Sequence, residues 1–286
     1  MAKSTEWIRK VESQVAQLAD EVDAVKASEM YQEHLDTMSK FWHYSLHNQI
    51  LIAMQWSERR KQRPDEDLPD VRMVAGFRKW KEMKRYVKPG EKAIRILAPG
   101  LRKEEKENGD EEKVITYFFP VCVFDISQTE GEPLALMDTH LEGEGAGMYL
   151  DSLVAWCEEN GIAVKMESLG FGHYGSSRNG SVMVNSDDNV NTQFNTLVHE
   201  LAHEFLHWTK EDGEKRSHQR VEAEAEGAAY VVLTHFGMET KAPEYLAIHT
   251  KDRKVLQESL SNISEAAKRI IAAVESKLEV REEVAA

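Results

Sequence analysis

Cysteine is almost missing from this chain, with Cys122 and Cys157 the only two among 286 residues. Two thiols cannot build a disulfide framework, and the apolar neighbours of each predict buried free thiols. Long apolar runs are missing too. No stretch approaches the roughly 20 apolar residues needed to cross a bilayer, and Met1–Glu6 leads into an amphipathic stretch instead of a secretory hydrophobic core. These absences predict a cytoplasmic protein with no membrane partner. A phosphate-cradling loop is lacking as well: the glycine tract Glu142–Gly147 has no strand before it and, with Glu130–Pro133, reads as a domain junction.

What is present is acid, with one exception. The net charge is −14, yet residues 59–103 hold 15 Lys or Arg against 6 Asp or Glu. An acidic chain with one basic window has a candidate polyanion site there, the alternative being a solvated face whose counter-charges arrive through folding. At 286 residues, 41% of them hydrophobic, two domains with a core each are expected.

The strongest chemical signal lies in Thr196–His207, whose centre reads His199-Glu200-Leu201-Ala202-His203. Two histidines four apart on a helix project about 40° and about 6 Å from one another, so both imidazoles reach one metal ion. Glu200 between them can serve as general base without being a ligand, which is the chemistry of a zinc hydrolase. Leu197, Val198, Leu201, Ala202, Phe205 and Leu206 give this helix a buried period. His207, eight residues beyond His199, stands about 12 Å up the axis and cannot share the ion. A third ligand must come from elsewhere, and the next helix offers Glu222, Glu224 and Glu226 in a run of small apolar residues.

The remaining elements follow from periodicity. Residues 5–28 and 36–57 carry apolar helical stripes, and 58–70 form a charged, proline-broken loop. Residues 74–80 read as a short helix, and Pro89-Gly90 marks a turn. Residues 93–98 and 114–124 form a long hairpin around the charged loop 101–112. A helix over 148–159, a strand over 162–166 and a hairpin with strands 171–175 and 181–185 precede the histidine helix. His173 and Tyr174 on that hairpin either donate to an oxyanion in the cleft or are ordinary hairpin residues. An amphipathic helix spans 252–279. The fold class is α+β: N-terminal helices with a β-hairpin, then a mainly helical domain with a small sheet. In the basic window Phe77, Trp80 and Tyr86 interleave with cations. Either the aromatics stack bases while Arg78, Lys79, Lys84, Arg85, Lys88 and Lys92 track phosphates, or Phe77 and Trp80 face the core and only the cations are exposed.

Tyr44–Ile52, Val74–Trp80, Val87–Ile94 and Val123–Thr129, in that order, resemble the N-terminal domain of ArdC-type antirestriction proteins. That resemblance implies a single-stranded-DNA-binding domain, here 1–139, followed by a zincin-like metallopeptidase domain, 140–286, and an origin on mobile elements. Arg78, Lys79, Trp80, Lys84, Arg85, Tyr86, Lys88 and Lys92 are then the candidate nucleic-acid contacts. The run Arg220–Val232 resembles the glutamate helix of ImmA/IrrE-like and ArdC-like peptidases. Matching Ala229-Tyr230-Val231 to that pattern puts the third ligand at Glu226, with His199 and His203 the other two, Zn2+ the cofactor and Glu200 the catalytic base. Glu222 is the second choice or an orienting partner of a histidine; Glu224 is expected to project elsewhere, into solvent. The expected partners are single-stranded DNA and a protein or peptide substrate. The rivals are a DNA-protecting protein whose zinc is mainly structural and a regulatory protease that cleaves a repressor.

Overall fold

The computed structural model describes residues 2–21, 24–62, 68–105, 111–133, 145–170, 172–208, 217–238, 240 and 252–285. It is an α+β chain of two compact units, one made of Met1–Asp20 with Tyr44–Leu136 and the other of Glu21–His43 with Met137–Ala286. The expected junction around 131–147 falls largely outside the described residues. Among those described, no helix is long and apolar enough to cross a membrane.

In the first unit, α1 (Ala2–Asp20) buries Val11, Val15 and Leu18 against α3 (Leu46–Gln62) and β4 (Glu111–Asp125). The stripe expected over 5–28 therefore stops at Asp20. The next helix, α2 (Ala24–Lys40), belongs to the other unit. The aromatic stretch expected as one helix over 36–57 is the end of α2, a turn at residues 41–45 and the start of α3.

A three-stranded antiparallel sheet runs in the order β1 (Val74–Gly76), β4, β3 (Ile94–Glu105). Val74–Gly76 is thus a strand paired with Val123–Asp125 and not the first turn of a helix. Gly76 is extended, and the helix begins one residue later as α4 (Phe77–Glu82). Cys122 is exposed where a buried thiol was expected, because Val123 beside it takes the inward side of the pleat; Cys157 is buried as anticipated.

Polar side chains in and beside the sequence motifs tie this unit together. Asn48 and Gln55, two helical turns apart on α3, lie along the free edge of β3. The Asn48 amide donates to the Leu97 carbonyl at 2.9 Å and accepts from its N–H at 2.8 Å. Gln55 does the same with Arg95, at 2.9 Å each way. Side-chain amides thereby satisfy an edge that would otherwise present open backbone groups. Buried Asp125 accepts from the N–H groups of Arg72, Met73 and Ser127, and the Gln128 side-chain oxygen accepts from the Asp125 N–H, closing a capping box. A two-stranded ribbon of β2 (Arg85–Val87) and β5 (Thr129–Gly131) completes the unit.

The second unit places a small mixed sheet beside helices. Its order is β6 (Ala163–Glu167), β8 (Ser181–Asn185), β7 (Gly175–Ser177), with β6 parallel and β7 antiparallel to the central β8. Asn179 and Gly180, at φ 37° and 86°, make the β7–β8 turn. The histidine helix is α6 (Val190–His203), started by an Asn189 cap and continued as a π-helical turn over Glu204–Trp208. It packs on α5 (Gly145–Glu159) and α7 (His218–His235), while α8 (Arg253–Ala285) backs α5 and α7 with Leu256, Leu260, Ile263, Ile270 and Val274.

Candidate metal centre and its cleft

Four turns of α6 put His199 and His203 on one side of the helix, facing α7. Their Nε2 atoms lie 3.0 Å apart, a distance two ring nitrogens adopt only with a proton or cation between them. The Glu222 carboxylate comes within 3.6 Å of the first and 3.7 Å of the second. All three donor atoms fall within 4.8 Å of one another. Two imidazoles and one carboxylate converging on one point suit a divalent transition metal such as zinc and leave a position for water.

Glu226, the expected third ligand, is outside this group. It is exposed one turn further along α7 and lines a cleft together with His199 and Glu200. Position along α7 decides this, Glu222 lying level with the histidines, while Glu224 sets which face α7 turns to them. Far from being solvated as anticipated, Glu224 is completely buried. It accepts from Arg220 at 2.7 Å, Ser259 at 2.8 Å and Asn262 at 2.9 Å. Residues two apart on a helix point to nearly opposite sides, so anchoring Glu224 on α8 turns the face that carries both Glu222 and Glu226 towards the histidines. The role of Glu224 was missed because its three partners lie on its own helix and on α8, where nothing in the Glu222–Glu226 spacing points to them.

Glu200 is partly buried, and burial pushes its carboxyl above the usual range; Glu222 and Glu204 add to this, while a Ser177 hydrogen bond and His173 oppose it. Burial likewise lowers the affinity of His199 for a proton, against the pull of Glu222 and Glu226. Both shifts favour the forms that the chemistry needs, a carboxylate ready to hold a proton and an imidazole with a free lone pair.

The cleft has a volume of about 710 Å³. One wall is the β7 end of the sheet. A methyl group on Gly175 would lie 2.5 Å from the Thr196 side chain and 2.7 Å from the Met183 carbonyl, so this strand presses its backbone onto α6 only because it carries no Cβ there. His173 and Tyr174 also line the cleft, Tyr174 largely exposed. Behind the histidines, buried Glu204 accepts from the Gly180 N–H at 2.6 Å and fastens the β7–β8 turn to the end of α6. The His207 side chain lies outside the described residues.

Residues 5–124 match the N-terminal domain of anti-restriction factor ArdC, and residues 157–276 match the IrrE N-terminal-like domain, a peptidase family. The chain joins an ArdC N-terminal domain to an IrrE-like domain. A curated relative, an uncharacterized protein of Bacillus anthracis, is 24% identical over 289 residues, covering 84% of this chain and 47% of that protein. The chain thus spans about half the length of the curated relative it matches. Two crystal structures of the antirestriction protein ArdC from the R388 plasmid are similar, each with 82% of this chain and 84% of that chain covered. The metal-free form aligns at a TM-score of 0.48 with 19% identity, the Mn(II)-bound form at 0.45 with 18%.

Within the ArdC N-terminal domain the candidate DNA contacts divide by burial. Trp80 is fully buried, its indole N–H donating to the Phe124 carbonyl at 2.9 Å, so it belongs to the core and offers no stacking face. Arg85 is committed to the ribbon through bonds to the Thr129 hydroxyl and carbonyl. Lys84 pairs with Glu132 and Lys79 with Glu82, both exposed pairs that water screens. Arg78, Lys88 and Lys92 are exposed, as are Phe77 and Tyr86 at 59% and 53%. The β3–β4 hairpin adds Leu101, Ile115, Tyr117, Phe118 and Phe119 as exposed apolar side chains, which the basic window did not flag.

Proposed function

We propose that this chain is a single-stranded-DNA-binding zinc metallopeptidase of the antirestriction type. The observation that carries the reading is the convergence of His199, His203 and Glu222 on one point with Glu200 beside them at the wall of a cleft. His199, His203 and Glu222 would hold the zinc. Bound there, zinc supplies Lewis acidity, polarising a peptide carbonyl and lowering the pKa of water towards neutrality.

The protein's own groups do the rest. Glu200, its proton affinity raised by burial, takes a proton from the attacking water and returns it to the departing amine. The free edge of β7 pairs with an extended peptide backbone and lays it along the cleft. Tyr174 and His173 are placed at the cleft to donate to the carbonyl oxygen as it gains charge. In the ArdC N-terminal domain, Arg78, Lys88 and Lys92 face phosphates while Phe77 and Tyr86 stack on bases.

Replacing Glu200 by Gln tests the catalytic half. Peptide hydrolysis is expected to fall by a factor of at least about 1,000 with zinc content near one per chain by elemental analysis. Hydrolysis that survives the substitution sinks the assignment. The same variant tested for protection of incoming DNA separates the activities: full protection assigns antirestriction to the DNA-binding domain alone. Labelled single- and double-stranded oligonucleotides, titrated at two salt concentrations, test that domain. Single strands should bind preferentially and weaken steeply with salt; binding of neither at low salt removes the nucleic-acid half.

A further inference from the structure

The cleft contains an acid that the chemistry above leaves unused. Glu226 is exposed on its wall, where it attracts the His199 imidazole but makes no hydrogen bond to any described residue. Among the described residues, no lysine or arginine lines the cleft. The surrounding groups are neutral and oxygen-bearing: Thr192 and Asn195 on α6, Tyr230 on α7, and Thr240. Their spacing is that of two facing helical stripes, 192, 195, 196 and 199 against 226, 229 and 230, so the wall belongs to the folded helices and not to a chance surface patch. Ala229, next to Glu226 on that wall, is small and leaves room for a long side chain.

We infer that this end of the cleft is a specificity pocket for a basic side chain, with Glu226 pairing with a lysine or arginine of the substrate; the inference rests on the peptidase reading. An ammonium or guanidinium brings only donors, and Glu226, Asn195 and the threonine hydroxyls bring acceptors. Glu226 stands one helical turn from Glu222, about 6 Å along α7. An extended peptide advances about 3.3 Å per residue, so the side chain that reaches Glu226 lies within about two residues of the bond that is cut. An acidic substrate residue in that position would meet Glu226 and Glu200 together and be rejected.

The test uses the zinc-loaded full-length chain and a positional hexapeptide library in which Lys, Arg, norleucine and Glu are placed in turn at each site. Cleavage is read by mass spectrometry, and binding by fluorescence anisotropy of fluorescein-labelled peptides to the Glu200→Gln chain. Lys and Arg are expected to exceed Glu by at least tenfold at one site in both readouts. Glu226→Gln should shrink that ratio to within about twofold while retaining zinc, and Glu226→Lys should reverse it. Cleavage without charge preference, or a preference that survives Glu226→Gln, overturns the pocket and leaves the peptidase standing. Loss of zinc from Glu226→Gln also overturns it, by making Glu226 a ligand. No cleavage and no binding of any peptide overturns the pocket and the peptidase together.

Discussion

Single residues show how far a local pattern reaches. The convergence of His199 and His203, with Glu200 beside them, was legible because all three share one helix, where spacing alone fixes their directions. Trp80 was not, since an aromatic among cations reads equally as a stacking face or as core, and only the Phe124 carbonyl waiting for its N–H decides. His34 on α2 gave no signal at all. It is buried, and desolvation lowers its pKa from 6.5 to about 4. The folded state therefore keeps this imidazole neutral where the unfolded chain would protonate it. Its stabilising contribution is complete above pH 6.5 and is lost as pH falls towards 4, by on the order of 3 kcal/mol at the lower limit. Urea unfolding in the presence of a chelator, which removes any contribution of metal, should show the loss. In His34→Leu the acid limb should flatten by that amount; an identical stability difference between the two proteins at pH 7 and pH 4.5 would refute the account.

Between elements, the decisive quantities are the rotation of α7 and its position along its axis beside α6, which the sequence could not supply. Glu222 and Glu226 lie about 40° apart on one face, so either could have met the histidines. The face is set from behind, where Glu224 binds Ser259 and Asn262 on α8 as well as Arg220 on its own helix, and the axial position of α7 puts Glu222 within 3.6 and 3.7 Å of the two histidines. Periodicity located α7 and α8 but is silent on how they mesh. Glu224→Ala should leave the buried Asn262 amide and Ser259 hydroxyl without their acceptor and Arg220 with Glu258 alone, at about 3–5 kcal/mol in stability. Because Glu222 rides on the same helix, zinc affinity should also fall about 10- to 100-fold, with Glu224→Gln in between. Competition with a chromogenic chelator at a temperature where the variant remains folded measures this. Unchanged zinc affinity beside lowered stability would mean that Glu224 only holds the helices together.

For the whole molecule, the chain order and the spatial order differ. The resemblance to two successive domains suggests a cut near residue 139, but the unit that carries the candidate metal site also includes α2, from the first fifth of the chain. Tyr31, Leu35 and Met38 of α2 are buried to within 1% of their surface. The Tyr31 hydroxyl lies 3.1 Å from the place a Cβ on Gly227 would occupy, so this glycine gives α2 its close approach to α7. Tyr230, from the cleft wall, donates to Asp36 at 2.6 Å, and His235 bonds the Ser39 carbonyl at 2.9 Å. Removing α2 would expose three large side chains, each contributing about 1.5–3 kcal/mol by burial, and would strip Tyr230 and His235 of their partners. That loss is comparable with the whole stability of an ordinary domain, about 5–15 kcal/mol. A fragment of residues 140–286 is therefore expected to lack a cooperative thermal transition and to bind zinc weakly, whereas adding a separate peptide of residues 21–43 should restore both in a concentration-dependent way. Circular dichroism melts with and without the peptide decide the matter: a fragment that melts cooperatively at the temperature of the full chain, indifferent to the peptide, would show that the metal site is complete without α2.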